Sequence, residues 1–164
     1  TRALADFGLL PRRTILAHAN FLNAEDMAVL RHHGAGIAHC PISNVFFADS
    51  VLPLAAHLRG GSHVGLGTDV AGGYSPSMFD ALRQSILSAR MLEDGVDPAL
   101  RREDRGRPNS RIDFRDAFWL ATTGGAEVLD LPIGNGTRKS STWRRPTPTS
   151  RSSTCPATGS TSCR

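Results

Sequence analysis

Cysteine is scarce in this chain of 164 residues: Cys40 stands alone in the body, and Cys155 and Cys163 lie close to the end. An odd set at these spacings builds neither a disulfide framework nor a paired-cysteine zinc motif, and it points to a reducing, cytoplasmic compartment. No apolar run is long enough to cross a bilayer and no leader pattern opens the chain, which argues against a membrane partner and against secretion. Aromatic residues make up 6% and are not interleaved with basic ones. Acidic residues are absent beyond Asp130, and that absence explains the net charge of +4. Residues 1–136 carry 13 arginines against 15 acids, whereas the final 28 residues carry six bases and no acid. The basicity therefore belongs to the tail alone. A nucleic-acid-binding protein using that tail is the reading from another class, but an acidic body without stacking aromatics argues against nucleic acid as a partner.

What the sequence does hold is organised around Gly65 to Met78, G-L-G-T-D-V-A-G-G-Y-S-P-S-M. Val64, Leu66 and Thr68 alternate with glycines as a strand would, and Asp69 arrives where the strand stops. The carboxyl ends of parallel strands are where (β/α) barrels keep their chemistry, because the loops there converge on one mouth. Ala71-Gly72-Gly73 then reads as an open loop, and Ser75-Pro76-Ser77 as a serine cap with proline at a first helical position.

Two earlier units repeat the pattern. Thr14 to Ala17 is a short apolar, β-branched run ending in His18, and Asn23 with Glu25 and Asp26 caps a helix through Met27, Val29 and Leu30, closed by Gly34 and Gly36. Gly36 to Cys40 is a second run, stopped by Pro41, that delivers His39. A short helical piece at Val51–Leu58 precedes the third strand, His63 to Thr68. Met78, Leu82 and Ile86 then stand at four-residue spacing, so Ser77 to Leu92 should cover the sheet. Gly95 to Ser110 is a polar connector whose arginines read as solvated. A last helix begins at its cap Asp113, with Phe114, Ala117, Phe118 and Ala121 on one face. Three such repeats predict an α/β fold with a parallel sheet, too few strands to close a barrel.

The pattern stops near Gly136. Residues 137–164 hold seven Thr, seven Ser and three Pro, with Trp143 as the one large apolar side chain. Such a segment cannot bury enough surface to offset its ordering entropy, so it reads as a disordered, low-complexity tail or the product of a slipped reading frame.

Three strand ends thus offer His18, His39 and Asp69. Imidazole and carboxylate suit a borderline cation such as zinc, and a catalytic zinc keeps one position open for water. Here the residues reach a family. A-H-A at Ala17 to Ala19, A-H-C-P-I-S-N at Ala38 to Asn44, and the Gly65 to Met78 stretch together resemble the metal-dependent amidohydrolases, and within them the guanine deaminases. The A-G-G-x-S-x-S-M extension after G-T-D-V is what favours these over relatives acting on cytosine, adenosine-type compounds or triazines.

The resemblance implies a distorted (β/α)8 TIM-type barrel, of which residues 1–136 would supply strands six to eight, and one zinc ion as cofactor. Asp69 matches the aspartate after the eighth strand, which ligates the metal and helps move a proton, and His18 matches the histidine after the sixth, which contacts the zinc-bound hydroxide or the purine. His39, Pro41, Ser43 and Asn44 match the motif after the seventh strand, and His39, Asn44, Gly72 and Gly73 become candidates for the substrate pocket. A small-molecule purine is the implied substrate, and hydrolytic deamination of guanine to xanthine and ammonia the implied reaction, by a parent enzyme for which a homodimer is allowed. The departures carry equal weight. No His-x-His and no His-x-x-Glu occurs, and the first residue is Thr1 rather than Met. The chain therefore reads as a carboxyl-terminal piece of a longer enzyme, expected on its own neither to hold zinc tightly nor to deaminate guanine. Of the remaining candidates, His32 and His33 read as ordinary helix-end residues, His57 and His63 as surface, and Cys40 as a small buried hydrophobe.

Overall fold

A computed structural model describes residues 1–132. The expectations for the tail at 137–164 lie outside the described residues. Those residues fold as three strand-helix repeats: β1 (Ile15–Ala17), β2 (Gly36–His39) and β3 (His63–Leu66) form a parallel sheet in the order β1-β2-β3. Parallel strands need crossover connections, and the helices supply them: α2 (Ala24–His33) after β1, α3 (Pro41–Phe47) and α4 (Leu54–Arg59) after β2, and α5 (Met78–Asp94) after β3. A short α1 (Arg2–Asp6) precedes β1, and α6 (Phe114–Trp119) runs through a single turn of π-helix (Leu120–Gly124) into α7 (Gly125–Val128). Among the described residues no helix is long and apolar enough to cross a membrane.

The helix boundaries follow from local chemistry. Asn23 and Asp26 form a reciprocal capping box at the start of α2, and Gly34, left-handed at φ 64°, ends it. Asp113 and Asp116 repeat the box at α6. At α5 the structure corrects the expected cap. Ser77 is the capping residue, and Pro76 precedes the helix, while Ser75 Oγ donates to Asp80 at 2.6 Å and accepts from the Ser77 amide. A second correction is α3: Pro41 starts a helix at its first position, where a missing N–H costs nothing, and does not merely end the strand.

The core gathers Ile37, Val64 and Leu66 from the strands with Leu30, Leu54, Leu58, Leu82 and Leu120 from the helices and Leu52 from the segment before α4, which begins at Leu54 rather than at Val51. Glycine decides how closely the last helix lies on the sheet. A Cβ on Gly65 would stand 2.9 Å from Gly125 Cα, and one on Gly36 would stand 2.7 Å from a Val128 methyl. The buried faces also differ from the expected ones. In α5 they are Ala81, Leu82, Ser85, Ser88 and Ala89, with Met78 exposed, and in the last helix Ala117, Leu120, Gly124 and Val128 face inward while Phe114 and Phe118 stack on each other outside.

His57 is the largest correction. Read as a surface residue, it is fully buried in α4, and neither ring nitrogen has a hydrogen-bond partner among the described residues. Burial holds its pKa below the ordinary histidine value, reinforced by Arg107 and Arg31. A lowered folded pKa means that the unfolded chain binds the proton more readily. The stability from a neutral His57 is thus complete above pH ~6.5 and is lost as pH falls towards the lower folded value. Replacing it by an apolar residue of similar size removes two unpaired polar atoms. His57→Leu is therefore expected to raise stability by about 1 kcal/mol at pH 5 to 6 and to flatten the pH dependence there, as read by urea unfolding at several pH values.

Candidate functional site

The in-register pairing of Ala17 with Ala38, and of Ala38 with Gly65, brings the carboxyl ends of the three strands to one edge. Backbone bonds beyond the strands extend that alignment: the His18 amide donates to Ala38 O at 2.9 Å, and the Gly67 amide to His39 O at 2.8 Å. Chain direction then changes sharply at the residues that carry chemistry. His18 (φ 68°), Ala19 (φ 57°) and Asp69 (φ 51°) are all left-handed without being glycine. Such conformations cost roughly 1–3 kcal/mol each and persist where the surroundings enforce them. At Asp69 the enforcement is visible. The Gly73 amide donates to Asp69 O at 2.5 Å, and Gly72 lies so close that a Cβ there would stand 2.9 Å from Asp69 Oδ2.

His18 and Asp69 face each other, Nε2 to Oδ2, at 3.9 Å, both partly exposed. Behind them is a buried polar chain. Asn44 donates through Nδ2 to Asn20 Oδ1 at 2.8 Å, which turns its oxygen to His18 Nδ1, also at 2.8 Å. An amide oxygen only accepts, so Nδ1 carries a hydrogen and Nε2 is the nitrogen presented at the mouth. Asn44 thus orients the imidazole from 1% exposure, and α3, the helix begun by Pro41, is what puts it there. Asn44→Ala leaves His18 Nδ1 and Asn20 without their partner and is expected to cost about 1–3 kcal/mol in urea unfolding.

His39 is brought to the same region but sits behind the mouth. It is 2% exposed, with Nδ1 3.5 Å from Asn44 Nδ2. Burial, then the positive potentials of His57 and His18, push its pKa down to about 3, so it is neutral across the physiological range. Cys40 is buried, as its reading as a small hydrophobe expects, at 5% exposure. Its Sγ joins His18 and Asp69 in one group whose ligand atoms all lie within 4.8 Å of one another. The signal available in the sequence was its place one residue beyond a strand end, beside two others.

The donor set fits a metal ion in part. One imidazole nitrogen with its other nitrogen fixed by hydrogen bonding, and one carboxylate, are ordinary zinc ligands, though at 3.9 Å they stand wider than the roughly 3.3 Å that two ligands of one tetrahedral ion would take. A side chain at position 72 would press on the Asp69 carboxylate, and one at 73 on the backbone oxygens of Thr68 and Asp69, so both glycines are needed for the loop to close here.

The comparisons agree with this geometry. The amidohydrolase family profile matches residues 1–137. The probable guanine deaminase of Schizosaccharomyces pombe is 40% identical over 123 residues, 75% of this chain and 22% of that protein. Among solved structures, Escherichia coli guanine deaminase superposes with a TM-score of 0.63 at 25% identity, over 77% of this chain and 26% of that one. A variant of atrazine chlorohydrolase from Arthrobacter aurescens, complexed with zinc and atraton, superposes with a TM-score of 0.63 at 27% identity, over 80% of this chain and 27% of that one. The chain spans about a quarter of the length of these relatives. A family profile covering all but the tail, on a parallel sheet whose strand ends gather histidine and aspartate, settles the matter of descent: this chain belongs to the amidohydrolase family of hydrolytic enzymes.

Proposed function

We propose that the chain forms strands six to eight of a (β/α)8 barrel and one side of the active site of a zinc-dependent enzyme that deaminates guanine to xanthine and ammonia. The observation that carries this reading is the pair of His18 Nε2 and Asp69 Oδ2, 3.9 Å apart at the carboxyl edge of the sheet, within the G-T-D-V-A-G-G sequence. Relatedness to the fission yeast probable guanine deaminase supports the choice of substrate.

In this reading Asp69 is a metal ligand, and zinc, when bound, supplies the acidity that makes water a nucleophile near neutral pH. Asp69 would help hold the ion, and its carboxylate could also take a proton from water and pass it towards the leaving nitrogen. His18 presents Nε2 to the same space, with Nδ1–H held by Asn44, so it can accept a proton at Nε2 and then donate it without rotating. His39, neutral and buried, and Asn44 form the floor beneath it, and Gly72 and Gly73 let the backbone approach a flat heterocycle. The chain carries no His-x-His, so its donors are a partial set, and residues from elsewhere would complete the site.

The similarity to a triazine-acting hydrolase gives the second reading, a related enzyme acting on another aminated or chlorinated heterocycle. Substrate preference separates the two. In a chimera in which residues 14–132 replace the matching segment of the Schizosaccharomyces pombe relative, ammonia release should favour guanine over cytosine and over an aminated triazine; a preference for either competitor would replace the guanine assignment by the second reading.

A further inference from the structure

The deaminase reading uses only the carboxyl edge of the sheet. At the amino edge lies a cavity of about 140 Å³, lined by Arg12, Arg13, Gly36, His63, Glu127 and Asp130 among others. The fold gathers these residues from separate segments. Arg12 and Arg13 precede β1, Gly36 and His63 begin β2 and β3 as register partners, and Glu127 and Asp130 lie in α7 and just after it. At about 30 Å³ per water, the cavity has room for a small molecule of several heavy atoms. Its backbone is unusual as well. Arg13 (φ 74°) and Asp130 (φ 52°) are both left-handed without being glycine, and their side chains form an ion pair. Strain of this kind persists only where the surroundings enforce it, and it gathers where ligands are clamped.

The charged groups around this cavity are only partly satisfied. One oxygen of Asp130 faces both guanidinium groups, at 3.6 Å for Arg12, which leaves most of their N–H donors unused. Glu127 and His63 have no hydrogen-bond or ion-pair partner among the described residues. Glu127 also stands at the carbonyl end of the helical segment 114–128, where a positive group is favoured. A simple anion here would meet Glu127, and a simple cation would meet the arginines. A molecule that carries both charges can meet each with its opposite. We infer that this cavity binds a small zwitterion of the α-amino acid type, its carboxylate taken by Arg12 and Arg13 and its ammonium by Glu127. The guanidinium fork matches a carboxylate with parallel N–H···O bonds, and an ammonium brings three donors to a carboxylate and the helix carbonyls. His63 adds an imidazole that can hydrogen-bond the same guest. The strands separate this cavity from His18 and Asp69, so the inference goes beyond the deaminase reading and does not rest on it.

The test titrates the full chain with L-alanine at constant ionic strength and follows backbone amides by nitrogen-15 NMR. The amides of Arg13, Gly36, His63 and Val128 should shift along one saturating curve, while those of Ala19 and Gly72 at the opposite edge stay in place. Alaninamide keeps the ammonium without the carboxylate, and N-acetylalanine keeps the carboxylate without the ammonium. Each should bind at least about 10-fold more weakly, since each loses a charge-assisted hydrogen bond. Glu127→Gln should weaken L-alanine about 10-fold and leave N-acetylalanine unchanged. Arg12→Gln should weaken L-alanine and N-acetylalanine and leave alaninamide unchanged. The three-compound comparison needs no variant, so it decides the matter even where a substitution fails to fold. N-acetylalanine bound as tightly as L-alanine would show an anion site only, and alaninamide bound as tightly a cation site only. Either result, or shifts that never saturate, would overturn the inference. Guanine turnover by the chimera bears on none of these outcomes.

Discussion

Asp69→Asn, introduced into the chimera with the Schizosaccharomyces pombe relative, is expected to lower guanine turnover by about 10³-fold. Two losses combine. An amide oxygen carries no full charge and binds a cation less strongly than a carboxylate, and an amide cannot take and return a proton near neutral pH. The substitution is almost isosteric, so the close approach of Gly72 to the side chain and the left-handed backbone at position 69 remain satisfied. Stability should therefore change little while activity collapses, and that separation is the signature of a group acting on the reacting atoms. His18→Ala makes a useful companion, because Asp69 remains to ligate: metal content should be largely kept while kcat falls. Steady-state ammonia release together with metal analysis of the same preparations checks both. If Asp69→Asn kept more than about a tenth of the parental turnover, the proposed proton and ligand role would not stand.

Gly73→Ala is expected to have the opposite signature, a loss of fold before a loss of chemistry. A Cβ at this position would lie 2.1 Å from Thr68 O, and 3.5 Å from Asp69 O. Neither atom is the flexible end of a side chain, so the loop between β3 and α5 has to move. That same loop is tied by the bond from the Gly73 amide to Asp69 O. Crowding of this kind costs typically 1–3 kcal/mol. The cost here falls on the segment that aims Asp69, so the variant should both unfold at lower urea concentration and, in the chimera, lose guanine turnover. An unchanged unfolding midpoint would mean that the backbone at Thr68 gives way more easily than its packing indicates.

Much of this was legible in the sequence because it is local. The three short strands are runs of apolar and β-branched residues, and Asn23, Asp113 and Gly34 announce their helix ends through side-chain and backbone chemistry that acts within four residues. The convergence of His18 and Asp69 could be anticipated because the carboxyl ends of the strands of one parallel sheet share one edge, even for β1 and β3 on either side of β2. What escaped depends on contacts between distant segments. His57 stands in the run Leu54-Ala55-Ala56-His57-Leu58 without a sequence partner to mark its role, and only the packing of α4 buries it. Phe114 and Phe118 look like a buried stripe at helical spacing, yet the sheet meets the adjoining face at Ala117 and Leu120, where small and medium side chains let the helix approach. Pro41 ends one element and begins another, and nothing within its own segment distinguishes the two roles. Cys40 follows His39 in the chain, but His18 and Asp69 come near it only through the sheet.

The measurement that bears most directly on the account is guanine-dependent ammonia release by the unsubstituted chimera, assayed beside the relative from which it is built. Shared ancestry alone requires that the chimera fold. The account requires in addition that residues 14–132 supply a working Asp69 and His18, so turnover of guanine should stay within about 10-fold of the relative, a change worth roughly 1.4 kcal/mol at the transition state. A chimera that folds, carries zinc and releases no ammonia from guanine would contradict it.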